Sequence, residues 1–279
     1  MVFMKFKLNL PVIFIIMNLI NNPTHATPRV IDRTKLCDAA LNNPAKTGEL
    51  VLSNAKPTPT PMMLELYGTG MATNVAQRLN DLDRDFGELV GTIAYDIFWA
   101  RPGLSTRDKS LVTVASLIAL NKEEQIRIHM NGFLNAGGTK EALAATLMQL
   151  ALTVDTSVTS NAQAVLRDVL ASRSVDVTIV DTISHELIDY SATQDTHSSS
   201  TNMAILNTEH LSRRDLLLIL VSAAVAIGNQ NRTVETMQYY FSMGGQIDDL
   251  KNALIHQIVY CGFPAAMNGF AALKATTQR

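Results

Sequence analysis

The histidine at position 129 is the residue of this sequence best suited to move a proton near neutral pH. An imidazole titrates close to neutrality and can either donate or accept a proton. His129 follows Ile126 by three residues, so on a helix it borders the apolar face that Met130 and Phe133 continue. Two interpretations stand: an acid/base in a pocket, or a histidine satisfied inside a core.

The neighbours of His129 along the chain include one amide and two carboxylates. Gln125 precedes it by four residues and shares its helical face, so we expect Gln125 to orient the imidazole. Glu123 and Glu124 lie more than about 90° away around a regular helix. They are therefore expected as first-turn charges, and Glu124 would join His129 as a catalytic group only in a helix that begins late enough to let it fold inward.

Arg101 and Trp99 stand at a chain turn made by Pro102 and Gly103. From such a turn a guanidinium can bind a substrate carboxylate through two parallel hydrogen bonds. The alternative is an arginine that caps a helix or pairs with a neighbouring acid. Trp99 is the single tryptophan, and it either walls an apolar pocket or fills the core.

His256 and Tyr260 are four residues apart and share a helical face. They form either a second polar cluster with a role in substrate binding or a hydrogen-bonded pair in the core. The histidines of the chain show no short metal-ligand spacing and no carboxylate cluster completes a set. We therefore expect neither a metal nor a cofactor.

The first 26 residues are typical of a secretory signal peptide. Lys5 and Lys7 precede the mostly apolar stretch 8–20, and Ala26 supplies a small residue for cleavage. An uncleaved anchor is the alternative, which the shortness of the stretch and Pro11 disfavour. The sequence therefore predicts an exported protein, periplasmic or secreted, with no membrane partner after cleavage.

The charge of the mature chain is mildly acidic. Without Lys5 and Lys7, 21 of the 23 basic residues remain against 25 acidic ones. No cluster of lysine and arginine is present, so nucleic acid is not an expected partner. The chain has two cysteines, Cys37 and Cys261. An oxidising compartment would let them pair, and unpaired cysteines with Cys261 in the core are the alternative.

The rest of the chain predicts helices in two similar sets. Residues 27–61 are an irregular leader that ends in a proline-rich stretch, and the chain that follows has helical periodicity. One shift of the numbering places Leu104-Ser-Thr-Arg-Asp on Leu211-Ser-Arg-Arg-Asp and the Gly-Gly pair 137–138 on the pair 244–245. We call the step from Leu104 to Leu211 the repeat interval. We therefore predict an all-α chain with two tandem repeats, 62–175 and a diverged 176–279.

Several strings resemble a known family. Residues 83–90 (DRDFGELV), 95–104 (YDIFWARPGL) and His129, eight residues before Gly137, are similar to the carboxymuconolactone decarboxylase family, within the alkylhydroperoxidase D-like superfamily. Residues 260–266 (YCGFPAA) resemble its closing Tyr-x-Gly-x-Pro-x-Ala element. The resemblance implies helical repeats that bury their faces by oligomerising, so we expect a homotrimer or a hexamer-like assembly.

The two repeats have lost complementary parts of this pattern. The first keeps Trp99, Arg101 and His129 but has Thr153 where the second has Tyr260. The second has Thr236 at the position of His129. One interpretation is that the first repeat is chemical and the second structural.

The related alkylhydroperoxidase D-like proteins use a Cys-x-x-Cys-x-x-x-His motif for dithiol chemistry. Aligned on His129, those cysteine positions hold Lys122 and Gln125, and in the second repeat Asn229 and Arg232. A peroxiredoxin label would therefore follow the family alone, because the thiols of that motif are missing.

Two functions compete at this point. The first is a cofactor-free decarboxylase or lactone isomerase, a carboxy-lyase in class, in which Arg101 holds a small carboxylate and His129 transfers the proton. The second is a non-catalytic oligomeric protein that binds a small acid or assembles with itself. A redox protein that uses Cys37 and Cys261 is the least favoured.

Overall fold

The computed structural model describes residues 58–151, 153–183 and 208–278, and within these ranges it contains helices and no β-strand. In chain order the helices are α1 (Pro61–Leu82), α2 (Arg84–Leu89), α3 (Val90–Trp99, wound as a π-helix), α4 (Thr106–Ala119), α5 (Glu123–Asn135), α6 (Lys140–Ala151), α7 (Thr156–Ser172), α8 (Arg213–Ala226), α9 (Gln230–Ser242) and α10 (Ile247–Thr277). The prediction of an all-α fold is confirmed.

The two Leu-Ser-x-Arg-Asp strings start helices in the same way. The side chains of Ser105 and Ser212 accept hydrogen bonds from the backbone N–H groups of Asp108 and Asp215. These caps satisfy donors that the first turn of a helix leaves without partners. The strings therefore fix where α4 and α8 begin.

The two Gly-Gly pairs end helices by a shared mechanism. Gly137 and Gly244 adopt φ angles of 87° and 83°, where a side chain would be strained. A Cβ on the following glycine would lie 2.2 Å from the ring of Phe133 in α5, or 2.1 Å from that of Tyr240 in α9. Each pair thus turns the chain and leaves room for an aromatic ring.

The helix bounds recur at the interval that the sequence predicts. Helices α8, α9 and α10 begin one repeat interval after α4, α5 and α6, and α8 and α9 also end one repeat interval after α4 and α5. That the two sets are tandem copies of one unit stays a prediction.

Helices α4 and α8 lie side by side in the core, which explains why neither has a polar face exposed to solvent. Leu111, Val114 and Ile118 of α4 and Leu218 and Ile219 of α8 are completely buried. Helices α5, α7 and α10 pack against α4, and α6, α9 and α10 pack against α8.

Reciprocal ion pairs join the N-termini of α4 and α8. Arg107 binds the carboxylate of Asp215 at 3.2 Å, and Arg214 binds that of Asp108 at 3.1 Å. The two pairs exchange places under a shift by the repeat interval. The described part of the chain therefore has local two-fold pseudosymmetry at this contact.

Two helices contain a break at a glycine. Gly68 in α1 has φ 70° and ψ 166°, and Gly262 in α10 has φ 77° and ψ 168°. Pro264, which lacks an N–H, is tolerated because it lies in the first turn after the second break. Both breaks lie close to a tyrosine, Tyr67 or Tyr260.

Only some of the predicted leader and repeat boundaries fall within the described residues. Pro61 is the first residue of α1, because its fixed φ suits that position and Thr60 caps the helix. The signal peptide, most of the leader, Cys37 and the serine-rich join between the repeats lie outside the described residues. Of the helices that are described, none is long and apolar enough to cross a membrane.

Candidate functional site

Six aromatic side chains meet where α1, α3, α5 and α10 come together. We call this the aromatic cluster, and its members are Tyr67, Tyr95, Trp99, His129, His256 and Tyr260. Trp99, His129 and His256 are 1%, 2% and 2% exposed. Within the cluster, Tyr260 alone is partly exposed.

The imidazole of His129 is held between two rings. It lies parallel to the indole of Trp99, with ring centroids 5.9 Å apart and planes 2° apart. The ring of Tyr260 meets it edge-on at 4.9 Å and 83°. The indole nitrogen of Trp99 donates a hydrogen bond to the hydroxyl of Tyr260 at 2.7 Å, which closes the three-ring unit.

A chain of hydroxyls from α1 and α3 reaches the same imidazole. The Nδ1 atom of His129 lies 3.3 Å from the hydroxyl of Tyr67, and that hydroxyl lies 3.3 Å from the hydroxyl of Tyr95. Tyr67 therefore orients the imidazole. Tyr95 belongs to a string that the family resemblance marked, whereas nothing in the sequence marked Tyr67.

His256 lies in the same cluster and not in a separate one. Its Nε2 atom is 2.9 Å from the hydroxyl of Thr113 in α4. Its ring meets the indole of Trp99 at 4.6 Å and 90°, and the ring of Tyr260 at 5.8 Å. The pair of His256 and Tyr260 and the pair of Trp99 and His129 therefore form one site.

The cluster combines residues from both predicted repeats. We expected the first repeat to carry the chemistry and the second to be structural. Trp99 and His129 come from the first repeat, and His256 and Tyr260 from the second, because α10 packs against both α3 and α4. Which of these residues carry chemistry stays a prediction.

Burial keeps the cluster uncharged near neutral pH. It lowers the pKa of His129 to about 3 and the pKa of His256 well below its ordinary value. It also raises the pKa of Tyr67 and of Tyr260 well above the usual range. The site therefore offers neutral donors and acceptors in a water-poor environment.

Two cations lie beside Trp99: Arg101, which follows it by two residues, and Lys109, whose ammonium donates a hydrogen bond to its carbonyl. Burial lowers the pKa of Arg101, whose side chain is half-buried two residues after Trp99. Lys109 is 6% exposed, and burial lowers its pKa to about 8. The sequence marked Arg101 as a carboxylate ligand but did not mark Lys109.

The structure does not bring Gln125 or Glu124 to His129. Both side chains are exposed, and Glu124 pairs with Arg78 at 2.6 Å. Helix α5 begins at Glu123, so both residues lie in a first turn that faces solvent. The spacing of four residues correctly placed Gln125 and His129 on one side of α5. The hydrogen-bond partner of His129 is nevertheless Tyr67, because α1 covers the buried part of α5 where His129 lies.

Neither cysteine chemistry nor a metal centre is visible among the described residues. Cys261 is partly buried, its sulfur lies 4.0 Å from Nε2 of Gln257, and burial raises the pKa of its thiol to about 11. Its predicted partner, Cys37, lies outside the described ranges. Within those ranges no group of three or more potential metal ligands occurs.

Sequence comparison identifies the part of the chain that carries His129. Residues 84–168 match the model of the carboxymuconolactone decarboxylase family. The chain is 34% identical over 88 residues to a protein of Acinetobacter baylyi (strain ATCC 33305 / BD413 / ADP1) named 4-carboxymuconolactone decarboxylase. That match covers 32% of this chain and 66% of the relative, so the chain spans just under two thirds of the relative's length. Trp99, Arg101 and His129 all lie inside residues 84–168, the segment of the chain that matches the carboxymuconolactone decarboxylase family.

Proposed function

We propose that the protein is a cofactor-free lyase or isomerase that acts on a small carboxylate, such as a lactone carboxylate or a keto acid. The observation that carries the proposal is the position of His129, which lies between Trp99 and Tyr260 and within the segment that matches the carboxymuconolactone decarboxylase family. An oriented imidazole inside a water-poor cluster is suited to proton transfer at carbon.

The protonation state of His129 is matched to an anionic ligand. Without a ligand the buried imidazole is neutral, because burial lowers its pKa to about 3. A carboxylate bound a few ångströms away favours the imidazolium and raises that pKa. In a decarboxylation, the bond between the carboxylate carbon and its neighbour breaks, carbon dioxide leaves with no charge, and the electron pair stays on the neighbour. The proton of His129 then forms the new C–H bond.

Arg101 is the residue we assign to the carboxylate. Its guanidinium stays charged near neutral pH even though burial lowers its pKa. It follows Trp99 by two residues, so it stands at the edge of the cluster. Tyr260 is partly exposed, and we place the entry path for the ligand beside it.

The repeat interval supports one site per chain. At this interval, the positions equivalent to Trp99, His129, His256 and Tyr260 hold Leu206, Thr236, Gln149 and Thr153. The hydroxyl of Thr236 is bonded to the carbonyl of Arg232 within its own helix. Two intact repeats that each contributed to the other's site would form two such sites. Because the second repeat lacks the Trp99 and His129 equivalents and the first lacks the His256 and Tyr260 equivalents, one site is lost and the other is kept.

A non-catalytic binding protein is the second candidate, and the closure of the cluster favours it. His129 is 2% exposed and already hydrogen-bonded to Tyr67, as expected for a histidine with a packing role. A binding protein would bind small carboxylates at one site per chain without turnover.

The deciding experiment measures turnover and binding of a panel of lactone carboxylates and keto acids by the mature protein. His129→Ala should lower kcat by about 10²-fold or more, the usual contribution of a positioned acid/base. His210→Ala, which changes an exposed histidine, is the control and should leave kcat unchanged. Binding without turnover in the unmodified protein would support the second candidate. Turnover that survives His129→Ala would rule out the proposed mechanism.

Arg101→Ala should chiefly weaken binding, and the loss should shrink for ligands without a carboxylate. Calorimetry should give one ligand per chain. Two equivalent ligands per chain would contradict the single composite site.

We also propose that the chain is exported with cleavage after Ala26. The succession of a charged start, an apolar stretch and a small residue supports this. N-terminal sequencing of the protein from the exported fraction should give Thr27 as the first residue. A protein that keeps Met1 in the cytoplasm would contradict the proposal.

A further inference from the structure

The C-terminus of α3 needs hydrogen-bond donors from elsewhere in the chain. The last carbonyls of a helix have no N–H partners within the helix itself. At this terminus the ammonium of Lys109 donates a hydrogen bond to the carbonyl of Trp99 at 2.7 Å and a second to the carbonyl of Arg101. One side chain thus holds the backbone of both Trp99 and Arg101, just before the turn at Pro102.

The position of Lys109 is an unfavourable one for a cation. It is the fourth residue of α4, where the helix dipole favours negative charge, and it is 6% exposed. The equivalent residue of α8 is Leu216, which is 2% exposed. An apolar residue therefore fits this contact between helices. The lysine is thus present in α4, which contacts the cluster through Thr113, and absent from the equivalent position of α8.

The favourable interaction that offsets this cost comes from α3. A cation near a helix C-terminus binds the final carbonyls and complements the negative end of the dipole. The end of α3 and the start of α4 meet at Lys109. The ammonium therefore interacts favourably with the C-terminus of α3 and unfavourably with the N-terminus of α4.

We propose that Lys109 is a positioning residue of the aromatic cluster, whose two hydrogen bonds hold the Trp99 indole against His129 and hold Arg101 at the edge of the site. Its effect on turnover rests on the proposed function, whereas its effect on Trp99 does not. The ammonium bonds the backbone carbonyls of Trp99 and Arg101, so it acts through these two residues.

The surrounding charges agree with this role. Burial accounts for most of the lowering of the Lys109 pKa to about 8; the exposed carboxylate of Glu65 opposes it and the Arg101 cation adds to it. After burial, the charge of Lys109 is the largest influence that lowers the pKa of His256. The ammonium thus also helps to keep His256 neutral beside Trp99.

The test uses Trp99 as its own reporter, because it is the single tryptophan of the chain. In Lys109→Met the indole should loosen, its emission maximum should shift to longer wavelength, and acrylamide should quench it more strongly. Lys109→Arg can donate to both carbonyls and should restore the emission of the unmodified protein. Lys251→Met, which removes an exposed lysine of α10, is the control and should change neither signal.

Emission and quenching in Lys109→Met that match the unmodified protein would overturn the proposal, whether or not the protein has turnover. If Lys109→Met does not fold, Lys109→Leu replaces it, because Leu216 shows that leucine fits the equivalent contact. Failure of both variants to fold would also overturn the proposal, since Lys109 would then support the whole fold and not the cluster.

A second readout depends on turnover. Displacement of a catalytic group by about 1 Å can cost about 10²-fold in rate, so kcat should fall by that order in Lys109→Met and recover in Lys109→Arg. If the unmodified protein has no turnover, the proposed function fails while the fluorescence result still decides the role of Lys109.

Discussion

The indole nitrogen of Trp99 donates a hydrogen bond to the hydroxyl of Tyr260 at 2.7 Å, across 161 residues of sequence. Trp99 is buried, and its N–H has no solvent partner if this acceptor is removed. The bond joins the end of α3 to the kink of α10, and with them the two predicted repeats.

Tyr260→Phe removes the acceptor and leaves a buried donor without a partner. We expect the free energy of unfolding to fall by about 1–3 kcal/mol, the cost of an unsatisfied buried polar group. Urea denaturation followed by Trp99 fluorescence measures it. Tyr239→Phe is the matched control, since its hydroxyl forms no hydrogen bond with the residues that the structure describes. A similar loss in both variants would contradict the role of the Trp99 bond.

Protonation of His129 should make the protein sensitive to acid. Burial lowers its pKa from 6.5 to about 3 in the folded state. Between these values the unfolded chain binds a proton that the folded chain does not, so stability falls as the pH falls from 6.5 towards 3. The slope for one such group is about 1.4 kcal/mol per pH unit.

Urea denaturation between pH 4.5 and 6.5 tests this expectation. His129→Gln should flatten the dependence by the slope of one proton, and the remaining slope should include His256, whose pKa burial also lowers. His210→Gln, at an exposed position, should keep the full slope. A slope unchanged by His129→Gln would show that the buried imidazole is not the acid-sensitive group.

Two glycines of α1 separate backbone strain from packing. Neither Gly68 nor Gly70 would have any atom within 4 Å of an added Cβ, but Gly68 has φ 70°. Gly68→Ala should destabilise the protein by about 1–3 kcal/mol, the cost of holding a side-chain-bearing residue at φ 70° and ψ 166°, a region open essentially to glycine only. Gly70→Ala should stabilise it by up to about 1 kcal/mol, because alanine favours a helix interior. Equal effects in thermal denaturation would mean that α1 is not broken at Gly68.

A set of exposed apolar residues from the end of α1 through α2 to α3 supports the prediction of a homo-oligomer. Leu82, Phe86, Leu89 and Ile93 are 76%, 46%, 55% and 41% exposed. Burial of such a set against another copy removes apolar surface from water. Light scattering at micromolar concentration should give an assembly, for which we favour a trimer.

The double variant Phe86→Glu with Leu89→Glu should shift the protein towards monomers. Val175→Glu changes an isolated exposed apolar residue and should leave the mass unchanged. A monomer in the unmodified protein would refute oligomerisation, and an intact assembly in the double variant would place its interface elsewhere.

The sequence alone determined where α4 and α8 begin and where α5 and α9 end. Ser105 and Ser212 are good caps, and Gly137 and Gly244 supply the left-handed turns that end α5 and α9. These signals act within a few residues and do not depend on the rest of the fold. The same local rules placed His129 on the buried edge of α5.

The composition of the site was decided by the tertiary structure. A helical spacing of four residues suggested Gln125 as the partner of His129, but α1 covers that edge and supplies Tyr67 from 62 residues away. Periodicity shows that a helix face is buried, but it does not identify the helix that covers it.

The union of the two repeats has the same physical origin. Trp99 and His129 meet His256 and Tyr260 because α10 packs against both α3 and α4, and this packing depends on the combined apolar faces of helices far apart in the chain. Lys109 was inconspicuous in the sequence for the same reason, since its two acceptors are backbone carbonyls that only the fold brings to it. The sequence thus determined the helices and the reactive residue types, and long-range packing decided that they form one buried site.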